Sequence, residues 1–429
     1  MNFYIHTLGC KVNQYESEKI SRALEQGGFV PAKTAENADI IIINSCTVTA
    51  ESDRKTRQLV RRFRRGSPEA AVVLTGCMPQ AFPEKAAALP ADIIVGNGSD
   101  RDILKSVQSY LQHQTRIVDI KPHKKGEAFE AGEVDRFEGR TRAYMKIEDG
   151  CNRGCTYCII PKARGRVRSR SLESIRKEAE RLAQNGFCEL VLVGINLSSY
   201  GQDLTLSLAD AVDAAAAPQG IRRVRLGSLE PDLTNTALLD RLRQNPKFCP
   251  QFHLALQSGC SKTLKRMNRL YSAEDYLQTV TEIRARFKNA AITTDIMVGF
   301  CGETEQEFKQ SLAFCQSLGL LKAHVFPYSV RTGTAAAGFE GQVPEPVKAE
   351  RAKRMANVCS QSAKAFLQTQ IGTVQQVLVE TKLQNGLYTG HSPNFTPVFF
   401  KGEPGLLHQI VPVKLTGLLN DGMSGEPAD

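Results

Sequence analysis

Residues 150–158 have the sequence Gly-Cys-Asn-Arg-Gly-Cys-Thr-Tyr-Cys, which gives Cys151, Cys155 and Cys158 a Cys-x3-Cys-x2-Cys spacing directly after a predicted strand at 144–147. Three thiolates on one short loop can bind three corners of a four-iron cluster, whereas a structural cluster or a zinc site usually takes four protein ligands. The fourth iron would then stay open to a substrate. A zinc loop, or three cysteines with no common role, is the alternative interpretation.

Five further strand candidates follow at 190–193, 224–226, 253–256, 293–298 and 323–326, with helical segments between them. Six strand and helix units predict an incomplete (β/α)6 barrel rather than the closed form of eight units. Residues just past barrel strands usually line the active site. We therefore expect cofactor contacts, with packing or capping as the alternative, from Gly194, Asn196, Ser228, Glu230, Gln257 and Asp295.

The first hundred residues alternate strand-like and helix-like segments, which predicts an open parallel α/β domain. Strands are predicted at 3–8, 39–44, 71–75 and 93–95, and helices at 15–26 and 54–65. Cys10, Cys46 and Cys77 each follow one of the first three strands. Because the carboxyl ends of parallel strands meet at one edge of a sheet, we expect these thiols to converge and to hold a second cluster. Buried or isolated thiols are the alternative.

The remaining segments complete the predicted domain organisation. Residues 1–112 form the first domain, a polar stretch at 113–142 is predicted to be an interdomain linker, and residues 143–370 contain the barrel. Short β-type runs at 374–379, 387–390, 398–401 and 409–415 predict a small antiparallel β-barrel over 371–429.

The composition favours an anionic partner. Lys and Arg number 55 against 45 Asp and Glu, a formal net charge of +10, and nucleic acid leads the candidates. No apolar run approaches 18 residues, and residues 1–6 show no secretory pattern, so we expect a cytoplasmic protein with no membrane partner. Twelve cysteines should therefore stay reduced. Six of them share no metal-binding spacing, and we predict that most of these six are buried thiols: Cys188, Cys249, Cys260, Cys301, Cys315 and Cys359.

Basic residues cluster near both cysteine sets. Seven of the twelve residues at 54–65 are Lys or Arg, and five more alternate after the Cys158 loop, namely Lys162, Arg164, Arg166, Arg168 and Arg170. A basic run is often only a solvated face. Because these runs flank two candidate cluster sites, we predict that they contact phosphates of a nucleic acid.

Several motifs resemble the methylthiotransferase family of radical S-adenosylmethionine enzymes, over nearly the whole chain. Those of the first domain are Thr-Leu-Gly-Cys-Lys-Val-Asn at 7–13, Asn-Ser-Cys-Thr-Val at 44–48 and Thr-Gly-Cys at 75–77. Those of the barrel are residues 150–165, His-Leu-Ala-Leu-Gln-Ser-Gly at 253–259 and His-Val-Phe-Pro-Tyr-Ser at 324–329. The β-rich tail is similar to the family's RNA-binding TRAM domain. Cys301 and Ala255 stand where the family usually has proline, which puts the local loop shape in question.

The resemblance implies two [4Fe-4S] clusters and S-adenosyl-L-methionine, used both as methyl donor and as radical source. Cys151, Cys155 and Cys158 would hold the radical cluster. Cys10, Cys46 and Cys77 would hold an auxiliary cluster that carries the sulfur. The implied partners are the anticodon stem-loop of a tRNA, an electron-donor protein and a sulfur source.

The context of Lys11 and Val12 resembles the branch that modifies N6-threonylcarbamoyladenosine at tRNA position 37. The branch acting on isopentenyladenosine usually has Gln-Met there, and the branch acting on a ribosomal protein aspartate usually has Pro-Lys-Asn after the cysteine. Both remain alternative functions. A non-catalytic iron–sulfur protein that binds RNA and senses redox state is a further alternative, although the open three-cysteine site argues against it.

Overall fold

A parallel sheet forms the first part of the chain in a computed structural model that describes residues 1–98, 102–129, 132 and 134–428. Its strand order is β2-β1-β3-β4-β5-β6. Strand β3, Ile40–Ser45, is buried at every position because helices cover both faces of the sheet. The other elements are β1 (Asn2–Thr7), α1 (Lys11–Gln26), β2 (Val30–Pro31), α2 (Ala50–Gly66), β4 (Ala71–Gly76), α3 (Cys77–Ala81), α4 (Pro83–Ala87), β5 (Ile93–Val95), α5 (Ile103–His113) and β6 (Ile117–Asp119).

Strand β6 lies inside the segment that the sequence predicted to be a linker. It pairs in parallel with β5, so the first sheet continues past residue 112. Val134 and Phe137, further along the same segment, are buried in the core of the central domain. The segment therefore packs against both neighbouring domains, because its few apolar residues are buried although its overall composition is polar.

The central part of the chain forms the predicted open six-stranded barrel, in which a single glycine divides one of the six strands into two short pieces. Strands β7, β10 and β11 form one parallel sheet and β12 to β15 form another, and only Gly227 separates β11 from β12. The strands are β7 (Ala143–Lys146), β10 (Glu189–Val193), β11 (Arg223–Leu226), β12 (Ser228–Leu229), β13 (Gln251–Leu254), β14 (Ala291–Val298) and β15 (Lys322–Pro327), and the short pair β8 (Glu148–Asp149) and β9 (Arg168–Ser169) frames the cysteine loop.

Helices on the outside of the barrel bury one continuous apolar core against the strands. They are α7 (Leu172–Gln184), α8 (Leu208–Ala216), α9 (Thr236–Gln244), α10 (Ser261–Arg266), α11 (Ala273–Arg286), α12 (Glu305–Ser317) and α13 (Glu345–Gln368). The short helix α6 (Ile160–Arg164) lies instead at the contact with the first domain, where Ala163 belongs to one apolar cluster with Cys77 and Ala81. Among the described residues, no helix is both long enough and apolar enough to cross a lipid bilayer.

The tail forms a closed five-stranded barrel in the order β16-β17-β18-β20-β19. Its pairs are antiparallel as predicted, except that β18 and β20 run parallel. The fifth strand, β20, was missed because two glycines and a proline hide its alternation. The strands are β16 (Val374–Lys382), β17 (Tyr388–His391), β18 (Pro397–Phe400), β19 (Ile410–Leu419) and β20 (Gly422–Pro427).

Candidate functional site

The loop of Cys151, Cys155 and Cys158 is fixed by backbone hydrogen bonds at both ends. The amide of Cys151 donates to the carbonyl of Gly165 at 3.0 Å, and the amide of Cys158 donates to Cys155 at 3.1 Å. Gly150, which precedes the loop, has a φ of 89°, and a Cβ there would lie 2.0 Å from the Arg166 carbonyl oxygen. Only glycine fits this close approach, so the direction in which the loop leaves β8 is set by sequence.

Two side chains from distant segments donate to sulfurs of this loop. Arg269 Nη1 lies 3.2 Å from Cys155 Sγ, and Asn196 Nδ2 lies 3.6 Å from Cys151 Sγ. Arg269 is held by an ion pair with Glu230 and by the hydroxyl of Tyr271. Two of the three sulfurs therefore have a side-chain donor, and Glu230 and Tyr271 orient the donor to Cys155.

Burial keeps two thiols of this loop neutral, those of Cys151 and Cys158. It raises the pKa of Cys151 to about 11 and that of Cys158 to about 12. A bound metal would have to displace these protons, because only a thiolate is a good metal ligand.

Cys10, Cys46 and Cys77 converge at the carboxyl edge of the first sheet. Cys10 directly precedes α1, Cys46 follows β3, and Cys77 begins α3. Asn13 Oδ1 lies 4.0 Å from the Sγ of both Cys10 and Cys77, so these two sulfurs are no more than 8.0 Å apart. Cys46 packs against Gly9, where a Cβ would lie 3.1 Å from its sulfur.

A buried charged cluster joins this edge of the sheet to the other cysteine loop. Arg164 on α6 is fully buried and directs Nε to Cys77 Sγ at 3.2 Å. Its Nη1 forms an ion pair with Glu16 on α1, and Glu16 also accepts from Lys146 Nζ at 2.7 Å. Asp149, at the start of the other cysteine loop, accepts from the same lysine at 2.6 Å. The two cysteine triads therefore share one ionic network across the domain boundary.

Part of the basic segment after Cys158 has a different role from the predicted phosphate contacts. Arg164, Arg168 and Arg170 are no more than 5% exposed and are ion-paired with buried carboxylates, because they lie at the contact between the two domains. The phosphate prediction was wrong for these three arginines. Lys162 and Arg166 are exposed, as the prediction requires.

A basic cleft of about 850 Å³ lies between the first two domains and includes Cys151 in its wall. Five of its side chains are exposed cations: Lys85, Lys124, Lys125, Lys162 and Arg166. None of the five has an ion-pair partner among the residues that the structure describes. Glu84 is the one acidic residue of the lining. Four exposed cations of α2 line a separate surface: Lys55, Arg61, Arg62 and Arg65.

Comparisons with known proteins match all three parts of the chain. Residues 145–315 match the Radical SAM superfamily, residues 2–96 match Uncharacterized protein family UPF0004, and residues 368–420 match the TRAM domain. Threonylcarbamoyladenosine tRNA methylthiotransferase MtaB of Bacillus subtilis (strain 168) is 36% identical over 96% of this chain and 92% of its own length. The chain belongs to the methylthiotransferase family of radical S-adenosylmethionine enzymes.

Other relatives of this methylthiotransferase differ in the substrate that their names give. The protein named MtaB in Thermotoga maritima is 35% identical over 99% of this chain and 96% of its own. The tRNA-2-methylthio-N(6)-dimethylallyladenosine synthase of Pelotomaculum thermopropionicum is also 35% identical, over 97% of this chain and 95% of its own. The radical S-adenosylmethionine methyltransferase TsrM of Kitasatospora setae shares the fold, with a TM-score of 0.56 and 14% identity over 76% of this chain and 72% of that one.

The family implies a four-iron cluster and S-adenosyl-L-methionine, and the residues of the methylthiotransferase fit both. Asn196 Oδ1 and Glu148 Oε1 are buried without a partner among the described residues, and Asn196 contacts Cys151. Such polar atoms suit an amine-bearing ligand at the loop. In the described part of the chain, no three His, Cys, Asp or Glu side chains are close enough to hold a single metal ion.

The predicted cofactor contacts of the methylthiotransferase fall into two groups. Asn196 and Glu230 lie beside the cysteine loop, and Gly194 lies under it, where a Cβ would meet Glu148 Oε2 at 2.6 Å. Asp295 instead points towards His253, at 3.4 Å, while Gln257 pairs with β14 through its backbone and Ser228 is exposed.

Arg269 and Glu148 were not predicted from the sequence, because neither has a motif spacing to the cysteines, and Arg164 was predicted only as a phosphate contact. The two positions that depart from the family pattern are accommodated locally. Cys301 is buried, with Sγ 3.4 Å from the Ala336 carbonyl, and the amide of Ala255 donates to Leu229 at 3.0 Å, a bond that proline could not make.

All twelve cysteines are free thiols. Five of the six predicted structural thiols are buried, and Cys188 is half-buried.

Proposed function

We propose that this methylthiotransferase converts N6-threonylcarbamoyladenosine at position 37 of tRNA to its 2-methylthio derivative. The observation that carries the proposal is the pairing of two cysteine triads, one on each domain, through the buried network of Arg164 and Glu16. An adenine C2–H is neither acidic nor electrophilic, so general acid–base catalysis has little effect on it. A site that supplies a radical and a sulfur from two adjoining centres suits this reaction.

In this proposal each triad holds a separate [4Fe-4S] cluster. Cys151, Cys155 and Cys158 hold the cluster that binds S-adenosyl-L-methionine, and Cys10, Cys46 and Cys77 hold an auxiliary cluster. When bound, these groups supply reductive cleavage of S-adenosylmethionine to a 5′-deoxyadenosyl radical and a sulfur for the new C–S bond.

The side chains of the chain itself bind and orient. Asn196 and Glu148 present unpaired oxygens to the amino group of S-adenosylmethionine. Arg269 holds Cys155 by a charge-assisted hydrogen bond, and Glu230 fixes the orientation of that guanidinium. The remaining expected cofactor contacts, Gly194, Ser228, Gln257 and Asp295, are proposed to line the open side of the barrel.

The basic cleft is the proposed path of the anticodon stem-loop. Its unpaired cations suit a phosphodiester backbone, and the presence of Cys151 in the wall supports a position of the modified base near the radical centre. The five-stranded tail barrel, which matches the TRAM domain, is proposed to add RNA contacts. A tRNA substrate places the activity in the cytoplasm, and the reaction also requires an electron-donor protein and a sulfur source.

The second candidate substrate is N6-isopentenyladenosine, because a relative named for the dimethylallyl compound is 35% identical over 97% of this chain. Lys11 and Val12 favour the threonylcarbamoyl substrate. No contact in the structure favours a ribosomal protein aspartate or a non-catalytic redox sensor.

The test is a competition between the two nucleosides. Anaerobically reconstituted protein receives S-adenosylmethionine, a reductant and equal amounts of two tRNAs, one carrying threonylcarbamoyladenosine and one carrying isopentenyladenosine. We expect 2-methylthio product on the first tRNA only. Product on the second only would reassign the substrate, and 5′-deoxyadenosine without product on either would refute a tRNA base as the substrate.

A further inference from the structure

Arg164 belongs to the domain of one cysteine triad and contacts a cysteine of the other. It lies on α6, six residues after Cys158, and its side chain is fully buried. Its Nε–H donates to Cys77 Sγ at 3.2 Å, the distance of a direct N–H···S hydrogen bond.

The other edges of the same guanidinium are held by α1. Nη2 donates to Asn13 Oδ1 at 2.7 Å and to Glu16 Oε2 at 3.0 Å, while Nη1 forms the ion pair with Glu16 Oε1. Because Nε, Nη1 and Nη2 each have a partner, the planar guanidinium is held in one orientation. Asn13 Oδ1 also lies 4.0 Å from Cys10 Sγ, so the arginine is connected to two cysteines of the triad.

No other cation donates a hydrogen bond to a sulfur of this triad among the described residues. The second donor near Cys77 is the neutral amide of Asn97, at 3.9 Å from Sγ. Lys146 and Arg168 belong to the same buried cluster but contact its carboxylates, Glu16 and Asp149. The charge that faces Cys77 therefore comes from Arg164.

A hydrogen bond to a ligand sulfur changes the reduction potential of an iron–sulfur cluster. Reduction adds an electron to the cluster, and part of the added negative charge resides on the ligand sulfurs. A cationic donor at one sulfur stabilises the reduced state more than the oxidised state. Because Arg164 and Cys77 are both buried, bulk water screens this effect only weakly.

We propose that Arg164 is a positioning residue that raises the reduction potential of the cluster held by Cys10, Cys46 and Cys77. This inference rests on the proposed function, since it assumes that the N-terminal triad holds a cluster. The domain that carries Cys151, Cys155 and Cys158 therefore sets the reduction potential of the cluster on the first domain. This potential depends on the docking of the two domains.

The chain offers a matched control in Arg170. This arginine lies on the same segment, is 1% exposed and is ion-paired with Glu178, and its Nη1 lies 3.4 Å from the hydroxyl of Tyr15 on α1. It thus crosses the same domain contact as Arg164, but no hydrogen bond connects it to a cysteine among the described residues. Arg170→Met therefore removes a buried interdomain cation and leaves the N–H···S bond in place.

The experiment uses the full chain with Cys151, Cys155 and Cys158 replaced by Ala, so that only the N-terminal triad can hold a cluster. After anaerobic reconstitution, the midpoint potential is measured by redox titration with electron paramagnetic resonance. We expect Arg164→Met to shift the potential to a more negative value, Arg164→Lys to shift it less, and Arg170→Met to leave it unchanged. The iron content of each protein is measured in parallel.

Equal midpoint potentials for the parent and Arg164→Met would overturn the proposal, as would equal shifts for Arg164→Met and Arg170→Met. If Arg164→Met fails to fold, the comparison of Arg164→Lys with the parent decides, and an unchanged potential there overturns the proposal too. Absence of iron from the parent itself would instead refute the assignment of the N-terminal triad in the proposed function.

Discussion

Arg269 donates a hydrogen bond to the Sγ of Cys155 at 3.2 Å, although 114 residues separate them in sequence. The arginine follows α10, and the barrel folds it back over the cysteine loop. Its ion pair with Glu230, which follows β12, joins a third segment to the contact. The barrel therefore orients the loop through residues that no local motif contains.

We expect Arg269→Met to reduce the rate of 5′-deoxyadenosine formation by about 10- to 100-fold, the usual cost of removing a residue that supports a metal ligand. The physical reason is that Cys155 loses its charge-assisted donor, while the half-buried Glu230 loses the ion pair with Arg269. The measurement is chromatography of anaerobic assays at fixed iron content. Arg243→Met, at an exposed position outside the site, is the control and should match the parent.

The two triads should bind iron independently, because they lie on separate domains. The parent should hold about eight irons and either triple Ala variant about four. The variant without Cys151, Cys155 and Cys158 should form no 5′-deoxyadenosine. Iron analysis after reconstitution checks the counts, and a variant that lost all iron on removal of one triad would contradict independent loading.

Charge reversal in the basic cleft should weaken tRNA binding. The variant Lys124→Glu/Lys125→Glu/Arg166→Glu removes unpaired cations beside Cys151. The slope of log affinity against log salt should fall by about 0.7 to 0.9 for each phosphate that the variant no longer neutralises. Binding is measured by filter retention over a salt series. The α2 variant Arg61→Glu/Arg62→Glu/Arg65→Glu tests the other basic surface, and an effect confined to α2 would move the proposed RNA path there.

Glu189 should stabilise the contact between the barrel and the tail. It is fully buried, and Arg225, Arg142 and Arg223 outweigh the cost of burial and hold its pKa at about 2. Arg225 also donates to the carbonyl of Pro393 in the tail. We expect Glu189→Gln to lower the free energy of unfolding by about 3 to 5 kcal/mol at pH 7, since it leaves buried cations unpaired.

The stabilisation by Glu189 depends on pH in a defined direction. Because the folded pKa lies below the unfolded value of 4.5, the contribution is complete above pH 4.5 and declines as the pH falls towards 2. Urea titrations of the parent and Glu189→Gln at pH 7 and pH 3 should give a smaller difference at pH 3. A difference independent of pH would show that the carboxylate charge is not responsible.

Deleting the tail would expose the buried ion pairs between Glu189 and its arginines. Point variants are therefore the better probe of the role of the tail in RNA binding.

The sequence predicted those parts of the molecule that depend on local periodicity. Cys10, Cys46 and Cys77 were placed together because each follows a strand of one parallel sheet, and the structure brings them to one edge. The six-stranded barrel followed from the recurrence of strand and helix units. Strand β6 was missed because three residues in a polar segment carry too weak a pattern.

Residues that act across the domain boundary could not be predicted. Arg164 and Arg166 are two residues apart in a run of alternating cations, yet one is buried against Cys77 and the other is exposed in the cleft. Composition gives both the same charge and so the same expected role. Only the docking of α6 against α1 separates them, and that docking joins residues nearly 150 positions apart.

The separate roles proposed for the two cysteine triads are tested most directly by an experiment that distinguishes radical formation from sulfur insertion. Cells that lack the gene receive either the parent or the variant with Cys10, Cys46 and Cys77 replaced by Ala, and tRNA nucleosides are measured by mass spectrometry alongside 5′-deoxyadenosine formation by the purified proteins. We expect 2-methylthio-N6-threonylcarbamoyladenosine with the parent only, while both purified proteins cleave S-adenosylmethionine. Parental levels of the methylthio nucleoside with the variant would contradict this expectation.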